Sequence, residues 1–124
     1  MTKELGRRVW AFPDGELPET GSNGESGHES LLLLNLTPLP TRVSITIYFD
    51  NQPPERDLTL VVEGERVRCV RLNEPVGEQQ FRIPSGQYAL LIESEQPVIA
   101  QIGRMDVRQP NLAYYTVIGF PLDG

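Results

Sequence analysis

The sequence has few of the residues on which common functional sites and membrane anchors depend. It contains one cysteine, Cys69, which excludes an internal disulfide, and one histidine, His28, which excludes a zinc site built from several His and Cys ligands. Its apolar runs, such as residues 31–34, are far shorter than a membrane-spanning helix, and no signal-peptide pattern follows Met1. We therefore expect a cytoplasmic protein with no membrane insertion, metal or cofactor.

Positive charge is also scarce. Seventeen acidic against eleven basic residues give a net charge of −6, which disfavours nucleic acid and anionic membranes as partners. There is no glycine-rich phosphate loop and no serine elbow, so the sequence predicts no enzyme. A length of 124 residues is enough for one core and too short for two, which predicts a single domain over residues 1–124.

The apolar residues that are present alternate with polar ones, as in strands. Residues 42–50 (RVSITIYFD), 57–63 and 87–93 each repeat with a period of two, whereas no run offers a long helical apolar stripe that is free of Gly, Pro and β-branched residues. This predicts an all-β fold, an antiparallel, jelly-roll-like β-sandwich of eight or nine strands with little helix. Its predicted core contains Val43, Ile45, Ile47, Leu58, Leu60, Leu90 and Ile92.

Turn residues predict how some strands connect. A tight reversal at residues 63–65 predicts that strands 57–63 and 66–72 form a hairpin, with Val67 and Cys69 pointing inward. Residues 77–84 are predicted to form a short edge strand. A first strand over residues 7–12 should stop at Pro13, before a loop at residues 14–29 that is long for a compact domain.

The strongest functional pattern lies in residues 96–109, QPVIAQIGRMDVRQ. Three apolar side chains fall on one side of this predicted strand, namely Val98, Ala100 and Ile102. Arg104 continues that line, and Arg104, Asp106 and Arg108 then alternate with apolar residues. The three charged side chains form either a binding site on a rigid strand or a ladder of surface ion pairs.

Four other residues are candidates for the same site. Trp10, the only tryptophan, is either a core anchor or a stacking platform at a cleft. His28 and Glu29 are adjacent, and together could clamp a ligand or exchange a proton. Arg71 is predicted to face inward, where it needs a carboxylate or a ligand.

Several short motifs, in their order along the chain, give a resemblance to a known family. They are Gly6-Arg7, Trp10, Leu17-Pro18 and Gly24 in the loop, His28-Glu29, RVSITIY at 42–48, Val70-Arg71-Leu72-Asn73, and PVIAQIGRMDVRQ at 97–109. Together they resemble the sensory rhodopsin transducer family. The chain departs from that pattern at residues 74–88 and after residue 109, which weakens the case for a rhodopsin partner.

The resemblance implies a β-sandwich that assembles as a cyclic homotetramer in the cytoplasm and binds a small molecule, such as a sugar or related metabolite. It places a ligand site at Trp10, His28, Glu29, Arg71, Arg104, Asp106 and Arg108. The alternative is that these residues pair with one another, and that the domain is an adaptor for a protein partner. Residues 31–34 and 114–118 are the predicted contacts between copies.

Overall fold

The computed structural model describes residues 4–17, 28–106 and 113–122. These residues form eight strands and no helix, and every strand pairing among them is antiparallel. The strands are β1 (Arg7–Leu17), β2 (His28–Asn35), β3 (Thr41–Phe49), β4 (Glu55–Val62), β5 (Arg66–Arg71), β6 (Gly86–Asp106), β7 (Ala113–Ile118) and β8 (Phe120–Pro121). The predicted all-β, antiparallel fold is therefore confirmed.

The strands form two layers that share β6. The first half of this 21-residue strand lies between β1 and β3, in a layer with the order β4-β3-β6-β1-β8. From Ile99 onward β6 pairs with β2, and from Gln101 also with β7, which gives a second layer with the order β5-β2-β6-β7. The sequence predicted two separate elements here, because polar residues interrupt the apolar pattern where β6 passes from one layer to the other.

The core lies between the two layers and follows the predicted alternation. All seven predicted core residues, from Val43 to Ile92, are at most 1% exposed. The second layer contributes Leu31, Leu33 and Ile102, which are equally buried. Leu31 and Leu33 are buried by their own chain, so within the contact between copies predicted at residues 31–34 only Leu32 and Leu34, which are partly exposed, remain available.

The predicted hairpin of β4 and β5 is wrong. β4 pairs with β3, and β5 pairs with β2, so the turn between them carries the chain from one layer to the other. The Glu65 amide donates to the carbonyl of Thr37 at 2.8 Å, and a Cβ on Gly64 would come within 2.3 Å of the Pro38 carbonyl oxygen. The turn is thus packed against residues 37–38, where the chain turns between β2 and β3.

Two further predictions near this turn are also wrong. Val67 is 63% exposed and Cys69 is exposed, whereas Val70 is the buried residue of β5, because it stands opposite Leu31 on the inner face. Residues 77–84 form no edge strand; Phe81 makes one isolated bridge with the preceding Val76, around a tight turn.

Candidate functional site

Arg104 extends the inward-facing line of β6, as the alternation predicted. Val98, Ala100 and Ile102 are at most 1% exposed, and Arg104 is the next residue with the same orientation. It stands directly opposite Glu29 of β2, and its Nε donates to the Glu29 carboxylate. The two charged residues therefore meet at the inner face of the second layer, where the apolar core ends.

Glu29 is fully buried, and the fold supplies donors for both of its oxygens. Oε1 accepts a hydrogen bond from the Tyr88 hydroxyl and another, at 2.7 Å, from the backbone amide of Glu16. Oε2 accepts from Arg104, whose side chain is 13% exposed. A buried carboxylate without such partners would strongly destabilise the fold. Glu29 thus joins β1 and β6 to β2, and so connects the two layers.

Tyr88 completes this cluster, although the sequence did not single it out. Burial, and then the neighbouring charge of Glu29, raise the pKa of the Tyr88 hydroxyl far above its usual range, so it remains a hydrogen-bond donor. Its ring lies over Gly15, the residue opposite it on β1, where a Cβ would come within 2.6 Å of the ring carbons. The sequence did indicate that Tyr88 points inward, because it alternates with Leu90 and Ile92, which are both buried.

β1 contains a bulge next to Gly15, and the prediction that this strand stops at Pro13 is wrong. Pro13 does not end β1; the strand continues to Leu17, and its register against β6 shifts between Phe12 and Gly15. A proline is tolerated there because a bulge interrupts the ladder of backbone hydrogen bonds. The bulge turns Asp14 toward the end of the sandwich, where its carbonyl lies 3.5 Å from Arg104 Nη2.

A pocket of about 290 Å³ opens beside the Glu29 and Arg104 pair. It lies between the bulge of β1 and the edge strands β7 and β8. Its lining is mostly apolar, with charged groups from Asp14, Glu29 and Arg104. The remaining lining residues are Phe12, Pro13, Ile102, Val117, Ile118 and Phe120. An apolar pocket with a few convergent polar groups is typical of small-molecule sites.

The other predicted site residues lie elsewhere or outside the described residues. Trp10 is 4% exposed, and its Nε1 donates to the carbonyls of Arg7 at 3.1 Å and Val98 at 3.0 Å, so it is a core anchor and does not line the pocket. Asp106 ends β6, but its side chain is not among those described, and Arg108 lies outside the described residues.

His28 and Arg71 form a separate group on the opposite face of β2 from Glu29. His28 precedes the inward-facing Glu29, and Arg71 stands opposite Ser30, so alternation places both on the outer face. Burial, and then the charge of Arg71, lower the pKa of His28. Arg71 Nε donates to Asn73 Oδ1 at 3.2 Å. The predicted single site is thus divided between two faces of the second layer.

The described residues provide neither a cluster of metal ligands nor a membrane-spanning helix. No group of three or more His, Cys, Asp or Glu side chains is placed to hold a metal ion in residues 4–17, 28–106 and 113–122. In the same ranges no helix is long and apolar enough to span a membrane.

Solved structures resemble this fold over most of its length. The crystal structure of Thermotoga maritima 1070 matches with a TM-score of 0.82 and 28% identity, covering 96% of this chain and 97% of that one. The Anabaena sensory rhodopsin transducer matches with a TM-score of 0.67 and 28% identity, covering 80% of this chain and 83% of that one. No curated protein sequence matches the chain.

The family model described as Anabaena sensory rhodopsin transducer matches residues 5–121, nearly the whole chain. The chain belongs to this family. The predicted resemblance is therefore confirmed, and the sandwich shared with the Anabaena transducer structure supports it independently. In this member of the transducer family, the cluster of Glu29, Arg104 and Tyr88 lies beside the pocket.

Proposed function

We propose that this member of the transducer family is a sensory or regulatory module that binds a small molecule of the sugar class in the pocket beside Glu29 and Arg104. The observation that supports this most is the combination of a pocket of about 290 Å³ with a buried carboxylate at its base, which accepts three hydrogen bonds from the chain. Such a base is held rigidly, as a preorganised binding site requires.

The lining suits a molecule with one apolar face and several hydroxyls. Phe120, which is exposed, offers aromatic surface to the face of a sugar ring, while the buried Phe12 forms part of the apolar lining. The guanidinium of Arg104 and the carboxylate of Asp14 would hydrogen-bond to hydroxyl or carboxylate oxygens of the ligand. Asp14 is already oriented, since its Oδ1 accepts from Gln87 Nε2 at 3.2 Å.

The wall of the pocket provides a route by which binding could change the surface. β8 is two residues long, and in the described part of the chain it pairs with β1 through Trp10–Pro121 and Ala11–Phe120, followed by one hydrogen bond of 2.9 Å from the Leu122 amide to the Val9 carbonyl. Elements with so few pairings open at low cost. A ligand packed between Phe120 and the base of the pocket would favour the paired position of β8, and the exposed residues around it would then be presented in a fixed arrangement.

We propose a binding role without catalysis, exercised in the cytoplasm by a homotetramer. Glu29 is the most deeply placed carboxylate of the pocket, and its oxygens already accept three hydrogen bonds from the chain, which favours a structural role over proton transfer. Val117 and Ile118, exposed on the edge strand β7, remain a candidate contact between copies.

A thermal-shift screen against sugars, sugar acids and nucleotides tests ligand binding. A ligand present at about a hundred times its Kd should stabilise the protein by about 2.7 kcal/mol, which raises Tm by roughly 10 °C for a domain of this size. In Ile118→Trp the new indole should occupy the pocket and abolish the shift. Leu39→Trp, a similarly exposed position away from the pocket, is the matched control and should retain it.

If no compound raises Tm, or if Ile118→Trp shows the same rise in Tm as the unsubstituted protein, the proposed ligand pocket is refuted. Light scattering at micromolar concentration tests the assembly separately. A tetramer mass is expected, and a monomer mass would contradict the proposed assembly without affecting the pocket.

A second candidate is a protein adaptor, and the exposed apolar row at β7 and β8 favours it. Four neighbouring residues of this row are 43–69% exposed, namely Val117, Ile118, Phe120 and Leu122. Rows of this kind often mark protein contacts. The Anabaena relative is named as a transducer for a sensory rhodopsin, so a photoreceptor or other signalling protein is the partner to test. Replacing Phe120 and Leu122 with serine should weaken such a complex, while leaving Tm within a few degrees because both side chains are largely exposed.

A further inference from the structure

The outer edge of β5 is open in the described part of the chain. β5 pairs there with β2 alone. The Leu72 amide donates to the Glu29 carbonyl at 2.8 Å, and these residues stand opposite each other when the β2–β5 register is continued by one residue. Because the bonded pairs of an antiparallel ladder alternate, the backbone N–H and C=O groups of Val67 and Cys69 point away from β2. Within the described residues they have no hydrogen-bond partner.

The corresponding edge of the first layer is closed by the chain itself. The amide of Glu78 donates to the Thr59 carbonyl of β4 at 2.8 Å, and the Thr59 amide donates to Gln79 Oε1 at 2.8 Å. The turn at residues 77–80 thus covers the edge of β4, a common protection against unwanted strand pairing. Among the described residues, β5 has no such cover, so its edge differs from that of β4.

β5 also carries concentrated positive charge in a protein with a net charge of −6. Its six residues, RVRCVR, include three arginines, and Arg66 and Arg68 are exposed. None of the three forms an ion pair with a residue that the structure describes. Their hydrogen bonds go to uncharged oxygens of Val61, Gly64, Glu65 and Asn73. Guanidinium groups prefer carboxylates, so this edge can still bind anionic groups.

We propose that the outer edge of β5 binds an extended, acidic peptide segment of a partner protein, which adds to the second layer as a further strand. The backbone of Val67 and Cys69 would supply the hydrogen bonds, and the arginines would select glutamate or aspartate side chains. A second copy of this chain fits less well, because edge-to-edge pairing would bring arginines against arginines. This surface is independent of the proposed ligand pocket, since β5 and β7 are the opposite edges of the second layer.

The test uses a fluorescently labelled hexapeptide of alternating glutamate and valine, blocked at both ends, and measures its anisotropy with the full chain. Binding that weakens with added salt is expected. A version with every second amide methylated should not bind, since it cannot form the ladder, and a lysine–valine version should not bind, since its charge is wrong. Arg66→Glu should weaken binding by about fivefold, because it replaces attraction with repulsion across the strands. Arg56→Glu, on β4, changes the net charge equally and should leave binding unaltered.

Hydrogen exchange locates the contact. The amides of Val67 and Cys69 should exchange more slowly when the glutamate peptide is bound. The proposal is overturned if the peptide does not bind at millimolar concentration, if the methylated peptide binds as well, or if Arg56→Glu weakens binding as much as Arg66→Glu. It is also overturned if these amides are already protected without peptide in an oligomer, which would assign the edge to a second copy, or if a short DNA duplex protects them in preference to the peptide.

Discussion

Removing the guanidinium of Arg104 should destabilise the fold, because it leaves the carboxylate of Glu29 buried without its charged partner. Glu29 is fully buried, and the side chain of Arg104 is only 13% exposed, so water can replace little of the lost interaction. Breaking a buried ion pair from one side costs about 3–5 kcal/mol. Two donors to Glu29 remain, the Glu16 amide and the Tyr88 hydroxyl. We therefore expect Arg104→Ala to lower the free energy of unfolding by about 3 kcal/mol, the lower end of that range.

Urea denaturation followed by tryptophan fluorescence measures this change. Trp10 is the only tryptophan and is 4% exposed, so unfolding transfers it from the core to water. The slope of the free energy against urea should be unchanged, which shows that only stability has altered. Arg42→Ala is the matched control, since Arg42 and Glu78 form an ion pair in which both side chains are about half exposed, and its loss should change stability far less.

A double-mutant cycle isolates the pair itself. Glu29→Gln with Arg104→Met removes both charges, so neither residue is left as an unpaired buried charge. The combined loss of stability should be smaller than the sum of the losses of Glu29→Gln and Arg104→Met, each measured alone, by about 1.5 kcal/mol or more. If Arg104→Ala were as stable as Arg42→Ala, the buried ion pair would contribute little. The view that it rigidly supports the base of the pocket would then be refuted.

Three further predictions concern the neighbouring residues. Burial raises the pKa of the Tyr88 hydroxyl, so the folded protein keeps this proton above pH 10, whereas the unfolded chain loses it near its usual pKa of 10. This group therefore leaves the free energy of unfolding unchanged below pH 10 and lowers it above pH 10. In urea titrations above pH 10, Tyr88→Phe should lose less stability than the unsubstituted protein, by about 1.4 kcal/mol for each pH unit. Burial and the charge of Arg71 lower the pKa of His28, so its contribution to the stability of the fold is present above pH 6.5 and is lost as the pH falls below that value. NMR of the imidazole should show that the pKa of His28 rises in Arg71→Gln. Gly15→Ala should cost about 1–3 kcal/mol of stability in urea titrations, because its Cβ meets the Tyr88 ring, and cost less in a Tyr88→Leu background.

Each of these three predictions can be contradicted by one result. An unchanged alkaline profile in Tyr88→Phe would mean that the phenol is not buried. An unaltered histidine titration would place Arg71 away from the imidazole. An equal cost of the glycine substitution in both backgrounds would show that the ring does not pack over Gly15.

Alternation along the strands was sufficient to predict the class of fold, the core and the direction of Arg104. Side-chain direction in a strand depends on position alone, so Val98, Ala100 and Ile102 also fix where Arg104 points. Pairing between strands was not predictable in this way. The turn residues at 63–65 are equally suited to a hairpin and to a connection between layers. Only the strands with which β4 and β5 pair show which of the two connections is present.

The candidate site was predicted only in part for the same reason. Glu29 and Arg104 were each singled out, but their meeting depends on the register of β2 against β6. Tyr88 reaches Glu29 because a bulge in β1 brings Gly15 opposite it, and no local sequence pattern specifies that shift. Trp10 is large and apolar enough for either of its two interpretations, and only its burial identifies it as part of the core.

Methyl NMR of the protein titrated with the sugar and sugar-acid library tests the proposed ligand pocket most directly. Ile102 lies at the base of the pocket, and Val117 and Ile118 form its wall, so their methyl groups report on the same space. A binding compound should shift all three signals together, and Ile118→Trp should abolish the shift of Ile102. If compounds that raise Tm leave these methyl groups unchanged, or if Ile102 still responds in Ile118→Trp, the ligand binds elsewhere and the proposed pocket is contradicted.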